Sequence, residues 1–246
     1  MQKTVYWWSS GRKDAGNFGD ILNPILLDYF NIPYKFTKSW KNTKLDLIAI
    51  GSIIDKANAY TTVLGSGVMT SESRINSNAD FRLVRGPITR DCILRAGGKC
   101  DKNYGDPGLL LPLFCEEQIK KHEIGFVPHF LDYEQVKEKY PKEFVIDIMD
   151  KDPLNVARKI SSCKSIISSS LHGIIAAHSY GIPAAWAVSD VLISKFSDTK
   201  FKDYYMSIDT VPIKSSFDDP KFSKPNFIEI ENIIKIFNEY AKEAKS

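Results

Sequence analysis

Short apolar runs, each ending in small or charged residues where a helix can begin, recur along most of this chain. Thr4 to Trp8, Leu45 to Ile50, Thr61 to Leu64 and Phe81 to Val84 read as strands. They run into a Gly-rich turn from Gly11 to Asp20, then Gly51-Ser52, Gly65-Ser66-Gly67 and Arg85-Gly86-Pro87. After Cys115 and a polar stretch the rhythm restarts with Glu123 to Val127, Phe144 to Ile148, Ser165 to Ile167 and Ala184 to Val188. Helical patterns lie between them, among them 21–29, Pro87 to Ala96, Tyr133 to Tyr140 and Pro153 to Ser162. Such alternation predicts a parallel sheet covered by helices, with ligands at the carboxyl ends of the strands. At 246 residues the chain can bury a full core. We therefore expect an α/β fold of two Rossmann-like βα domains, about 1–115 and 120–215, with a cleft between them. A last segment, 216–246, holds an amphipathic helix with Ile230, Ile233, Ile234 and Phe237 on its apolar side.

Charge and cysteine content narrow the function. With 33 Lys and Arg against 30 Asp and Glu, a net +3 is too balanced to argue for a nucleic-acid partner. Cys92, Cys100, Cys115 and Cys163 show no CxxC spacing, and a reduced, intracellular chain is the simplest reading. The N-terminal apolar run is too short for a signal sequence, and no stretch approaches a membrane span. The stretch Phe196 to Ser207 carries an aromatic cluster, Phe201-Lys202-Asp203-Tyr204-Tyr205. With the Lys-bearing last helix it offers a surface that could meet a membrane.

Two loops carry the chemistry. Ser168-Ser169-Ser170 joins the apolar run 165–167 to a small-residue helix that stops at Gly181 and Pro183. A strand, a Ser-rich turn and a helix N-terminus make an anion site, because free N–H groups and the helix dipole point at it. His172 sits in the first turn of that helix; the competing reading makes the serines caps and the histidine a core residue. The Gly-rich turn ending at Asp20 also leads from strand to helix, with Asp20 or the pair Asn23-Pro24 as the helix start. It is neither GxGxxG nor a P-loop. His178, six residues after His172, lies about 240° further round a helix, so the two cannot share a metal on one face. No metal cluster is visible.

An ordered set of motifs spans residues 16–188: NFGD, a strand-end Gly-Ser, RGPITR, GDPGLLLP, a Val-Pro-His after a strand, and SSLHGIIAAHSYGIP. This set resembles the polysaccharide pyruvyl transferase family. The resemblance implies a two-domain fold like that of GT-B glycosyltransferases, pared down here, with the last helix crossing back to the first domain. It implies transfer of pyruvate from phosphoenolpyruvate onto two hydroxyls of a sugar as a cyclic ketal. The setting would be exopolysaccharide, capsule or cell-wall glycan assembly in the cytoplasm, at the inner face of the membrane where the acceptor is lipid-linked. Phosphoenolpyruvate is then a donor substrate and no cofactor is required. The partner is a glycan or lipid-linked oligosaccharide, taken up on the first domain while the second holds the donor.

Residue roles follow from the resemblance and the chemistry together. His172 matches the histidine of the family's Leu-His pair and could protonate the enolpyruvate methylene or polarise the phosphate. Arg85 matches the family arginine thought to bind phosphoenolpyruvate, with Arg90 beside it, since Arg grips carboxylate and phosphate bidentately. Many members carry Arg where this chain has Ser170. The serines, Leu171 and the helix N-terminus are the candidate replacement, with Lys164, Lys195 and Lys202 as others. Asn17 and Asp20 could hold sugar hydroxyls, with Asp20 as a general base. Gly51, Ser52, Gly65, Ser66, Asp106 and His129 stand at strand ends or turns expected to face the cleft. Of Trp7 and Trp8, at most one can face it, and core packing is favoured over stacking on a sugar. Two other classes compete. A GT-B glycosyltransferase using a nucleotide sugar would need a carboxylate near Asp190 or Asp198, and a non-catalytic glycan binder would release no phosphate.

Overall fold

The computed structural model describes residues 1–9, 16–188 and 197–245. In its first sheet β1 (Lys3–Val5), β2 (Tyr34–Phe36), β3 (Leu47–Ile48), β4 (Thr62–Leu64) and β5 (Asp80–Leu83) lie in the order β2-β1-β3-β4-β5, all parallel. Strand order reverses between β1 and β3, which opens a crevice at their carboxyl ends. In the second sheet β6 (His122–Val127), β7 (Cys163–Ser168) and β8 (Ala184–Ala187) run parallel. Two short strands share the outer edge of β8: β9 (Lys214–Ser215) parallel to it and β10 (Phe222–Ser223) antiparallel. The chain is thus α/β with two mainly parallel sheets.

The first helix is broken, and the sequence shows why. The segments α1 (Phe18–Ile21) and α2 (Asn23–Tyr29) meet at Leu22. Pro24 has no N–H for the Asp20 carbonyl. Asn23 Nδ2 donates to that carbonyl instead, at 2.9 Å. The Asn23 side chain also pairs with the N–H and C=O of Ile50, at 3.0 and 3.1 Å, which ties the break to the end of β3. Asn17, not Asp20 or Asn23, holds the N-cap position. The Asp20 carboxylate is thereby free of capping.

Further helices are α3 (Pro87–Arg95), α4 (Tyr133–Lys139), α5 (Pro153–Ser161), α6 (Leu171–Ser179), α7 (Thr199–Ser207) and α8 (Ile230–Lys245). The expected strand Phe144 to Ile148 is instead a 3₁₀ turn, Lys142–Phe144, followed by one bridge from Val145 to Phe126. Its later carbonyls are used elsewhere: Ile148 accepts from the Phe18 N–H at 2.8 Å and Met149 from the Gly16 N–H at 3.3 Å. The segment leaves the second sheet to hold the loop that follows β1.

Phe201, Tyr204 and Tyr205 are buried, and Phe201 stacks on Trp186 at 4.5 Å. That cluster is core, which corrects the expected membrane-facing surface; Phe196 lies outside the described residues. Among the described residues no helix is long and apolar enough to cross a membrane. Helix α8 lies on elements of the first sheet: Phe237 stacks on Phe30 at 4.9 Å and Glu243 pairs with Arg82 at 2.8 Å.

Candidate active site

The carboxyl ends of the two sheets border one cavity of about 230 Å³. From the first sheet come Trp8, Asn17 and Asp20 after β1, and Gly51 and Ser52 after β3, the two strands that flank the switch in strand order. The second sheet contributes His129 and Phe130 after β6, and Ser170, Leu171 and His172 after β7. Lys200 enters from the start of α7, and Met69 completes the rim. The cavity's volume lies below the range of about 300–1,000 Å³ typical of sites for drug-sized ligands.

Each of the three serines in the turn has a separate role. Ser168 Oγ donates to the Val127 carbonyl at 2.7 Å and accepts from the Ser170 N–H at 3.0 Å. Ser169 Oγ donates to Asp132 at 2.7 Å and accepts from the His129 N–H at 2.8 Å. Both are buried and fix the turn. Ser170, the N-cap residue of α6, makes no capping bond with its side chain and faces the cavity. The first turn of a nine-residue helix therefore presents its N–H groups beside Ser170.

His172 packs on Gly19 so closely that a Cβ there would lie 2.0 Å from Nδ1. Its other nitrogen, Nε2, faces Asp106 Oδ2 at 3.7 Å. Asp106 is fully buried, and its Oδ1 accepts from the Gly108 N–H at 2.9 Å to cap the 3₁₀ helix Pro107–Leu113. Asp106 Oδ2 and His172 Nε2 are the two buried side-chain polar atoms without a hydrogen bond among the described residues. An unpaired buried group costs about 1–3 kcal/mol, so this pair stands out. Asp20 lines the same cavity as the imidazole. Burial pushes its carboxyl up to about 6, against the pull of His172, the Asn17 amide that donates to it, and Lys200. Burial likewise draws the Lys200 ammonium down to about 8, helped by the nearby Arg85 charge and opposed by Asp20. His129 falls to about 4, through burial and then Lys200.

Arg85 does not line the cavity. Its guanidinium is buried against Gly67, where a Cβ would meet Cζ at 2.4 Å. It pairs with Asp203 of α7 at 3.2 Å and donates to the Val68 carbonyl at 2.5 Å and to Ser52 Oγ at 2.7 Å. Asp203 also accepts from the Thr89 N–H and hydroxyl, at 2.9 and 2.6 Å. Arg85 thus reaches the cavity through Ser52. Arg90 Nε donates to the Cys100 carbonyl at 2.9 Å, outside the lining. Gly65 and Ser66 lie behind it too. Gly65, at φ +106°, gives room to Pro107, and Ser66 Oγ donates to the Gly51 carbonyl at 2.8 Å.

Lys164 pairs with Glu123 and Lys202 with Asp198, away from the cavity; Lys195 lies outside the described residues. Lys200, which the sequence reading passed over, is the lysine or arginine that lines the cavity among the described residues. Its spacing from Asp203 and Tyr204, i to i+3 and i+4, carried the signal, since these three share a helix face. Asp198 is held by Lys214 at 2.5 Å and does not reach the cavity; Asp190 lies outside the described residues. His178 is buried, with Nδ1 3.0 Å from the Tyr204 hydroxyl and Nε2 3.2 Å from the Ser223 carbonyl. Trp7 stacks on Phe36 at 4.2 Å, while Trp8 faces the cavity and lies parallel to Phe130.

Comparison with known sequences places this arrangement. A family model described as polysaccharide pyruvyl transferase matches residues 5–190. The chain belongs to that family. This pyruvyl transferase family member is similar to the succinoglycan biosynthesis protein ExoV of Rhizobium meliloti (strain 1021), with 28% identity over 197 residues, 72% of this chain and 57% of ExoV. It is also similar to an uncharacterized protein of Acanthamoeba polyphaga mimivirus, with 36% identity over 165 residues, 63% of this chain and 57% of the viral protein. The matched regions thus cover little more than half the length of these relatives. No solved structure matches it.

Proposed function

We propose that this chain moves the enolpyruvyl group of phosphoenolpyruvate onto two hydroxyls of a glycan sugar as a cyclic ketal, in the assembly of an exopolysaccharide, capsule or cell-wall glycan. The observation that carries the proposal is His172 in the first turn of α6, sharing one cavity with Asp20, the helix N-terminus and Lys200. Family membership and the likeness to a succinoglycan biosynthesis protein support it. The two sheets act as the halves of a GT-B-like enzyme with its cleft at this cavity, the N-terminal half taking the acceptor and the C-terminal half the donor.

The α6 N-terminus, Ser170 and Lys200 hold the donor's phosphate and carboxylate, the role that many relatives give to an arginine at position 170. Arg85 supports the site by fixing Ser52. Asp20, poised near 6, takes the proton of the attacking hydroxyl, while His172 delivers a proton to the methylene carbon. The first hydroxyl oxygen bonds to C2 and the C2–O bond to phosphate breaks. The second hydroxyl oxygen then closes the ketal. One hydroxyl proton ends in the new methyl group and the other on phosphate, so the reaction balances without a cofactor.

Phosphate release from phosphoenolpyruvate, measured with galactosides, glucosides and N-acetylhexosamines, tests this. Acceptor-dependent release that falls about 10²-fold or more in His172→Ala is expected, the usual scale for a lost general acid. Undetectable binding of phosphoenolpyruvate together with binding of a nucleotide sugar would replace this reading with glycosyl transfer.

A further inference from the structure

Asp106 stands in the cavity's supporting shell. Its carboxylate is fully buried behind His172 and spends one oxygen on the Gly108 N–H. The other oxygen, Oδ2, has no partner and lies 3.7 Å from His172 Nε2, which has none either. A shift of about 0.7 Å would bring the two to ordinary N–H···O distance. No second acceptor competes for Nε2 among the described residues, and the ring cannot turn freely because Gly19 packs on its face over Nδ1, Cγ and Cε1, an approach that leaves the in-plane lone pair of Nδ1 open.

We infer that Asp106 is the positioning carboxylate of His172: it accepts the Nε2–H, fixes the tautomer, and leaves Nδ1 as the nitrogen that exchanges protons with substrate. This inference rests on the proposed pyruvyl transfer for its catalytic meaning, though not for its geometry. A carboxylate behind a histidine holds the ring in one orientation and stabilises the imidazolium that forms when the ring takes a proton. Asp106 thus acts through His172 and touches no substrate. The serine-protease triad uses the same division of labour, and there the Asp-to-Asn change costs about 10⁴ in kcat while leaving the geometry intact.

The test is the tautomer of His172 in the full chain without substrate. The chain has four histidines, so ¹⁵N-histidine labelling gives four imidazole spin systems, and His172→Gln removes and so assigns one. In the wild type the neutral ring should carry its proton on Nε2. Asp106→Asn keeps an oxygen for the Gly108 N–H and turns its amide N–H₂ toward Nε2, so the proton should move to Nδ1. The same variant should lower kcat for phosphate release about 10²-fold with KM for phosphoenolpyruvate unchanged. A proton on Nδ1 in the wild type, or a tautomer indifferent to Asp106→Asn, overturns the inference. A rise in KM with the tautomer unchanged would make Asp106 a substrate ligand instead. Because the spectra need no substrate, the orientation of His172 is read even where the wild type does not bind phosphoenolpyruvate, an outcome that would count against the function alone.

Discussion

Gly19→Ala puts the packing of the two halves to a direct test. The added Cβ would lie 2.0 Å from His172 Nδ1, 2.2 Å from Cγ and 2.4 Å from Cε1. Ordinary contact begins at 3.4 Å, so the ring must retreat by about 1.4 Å. Gly19 has no left-handed φ, and its backbone accepts alanine without strain. Two terms then oppose each other. Overpacking costs about 1–3 kcal/mol, while replacing glycine in a helix gains up to about 1 kcal/mol. The net loss should be roughly 0–2 kcal/mol by urea unfolding. Activity should fall further than stability, by about 10²-fold, because a 1 Å misplacement of a catalytic group costs that much. The decisive arm is the double variant. With His172→Ala already present the obstruction is gone, and Gly19→Ala should stabilise the protein by up to about 1 kcal/mol. An equal effect of Gly19→Ala in both backgrounds would refute the contact.

Three further outcomes follow from the buried charges. Arg85→Met should cost about 3–5 kcal/mol in urea unfolding because it strands Asp203, and Arg85→Met with Asp203→Leu should recover much of that loss. Asp20 has a folded pKa of about 6 against a reference of 3.8, so the folded state holds its proton more tightly. Stability is therefore full below about 4, falls as pH rises to about 6, and stays lower above, by roughly 3 kcal/mol. Asp20→Asn should remove that slope in pH-dependent unfolding and gain stability at neutral pH while losing activity. The rate profile kcat/KM should be bell-shaped, with an acid limb near 6 from protonation of Asp20 and an alkaline limb near 8 as Lys200 loses its charge. Lys200→Arg should remove the Lys200 contribution to the alkaline limb, and Lys200→Met should raise KM for phosphoenolpyruvate.

Local pattern made much of this architecture legible. The strand-turn-helix run through Ser168 to His172 is local, and it folds as its residues dictate. Asn17 and Asp20, at the end of the Gly-rich stretch after β1, do line the cavity, but the detail of the helix they begin was not readable. The helix break at Leu22 depends on Asn23 reaching Ile50, 27 residues away. The stretch Phe144 to Ile148 does not form the expected strand because the carbonyls of Ile148 and Met149 bond to Phe18 and Gly16, a demand no local window contains. The short strands β2, β9 and β10 hold two or three residues each, too few to show a period. Arg85 looked like an anion ligand because it follows a strand and precedes a helix. Its partner Asp203 stands 118 residues away, and only the tertiary fold reveals that its charge is already matched.

That long-range ion pair also bears on how such a chain can be rearranged. Arg85 is buried in the first half, but the acid that balances it belongs to α7, which lies between β8 and β9 of the second sheet. Gly86 lets the backbone carbonyl of Asp203 approach to where a Cβ would stand, so helix α7 is seated against the RGP turn as well as paired with it. Cutting the chain between the sheets would leave a guanidinium in the first fragment with no counter-charge, and joining either half to a foreign one would do the same unless the newcomer brought an acid to that spot. The halves are not interchangeable modules; a recombination point that preserves both must keep residue 85 and residue 203 from the same parent.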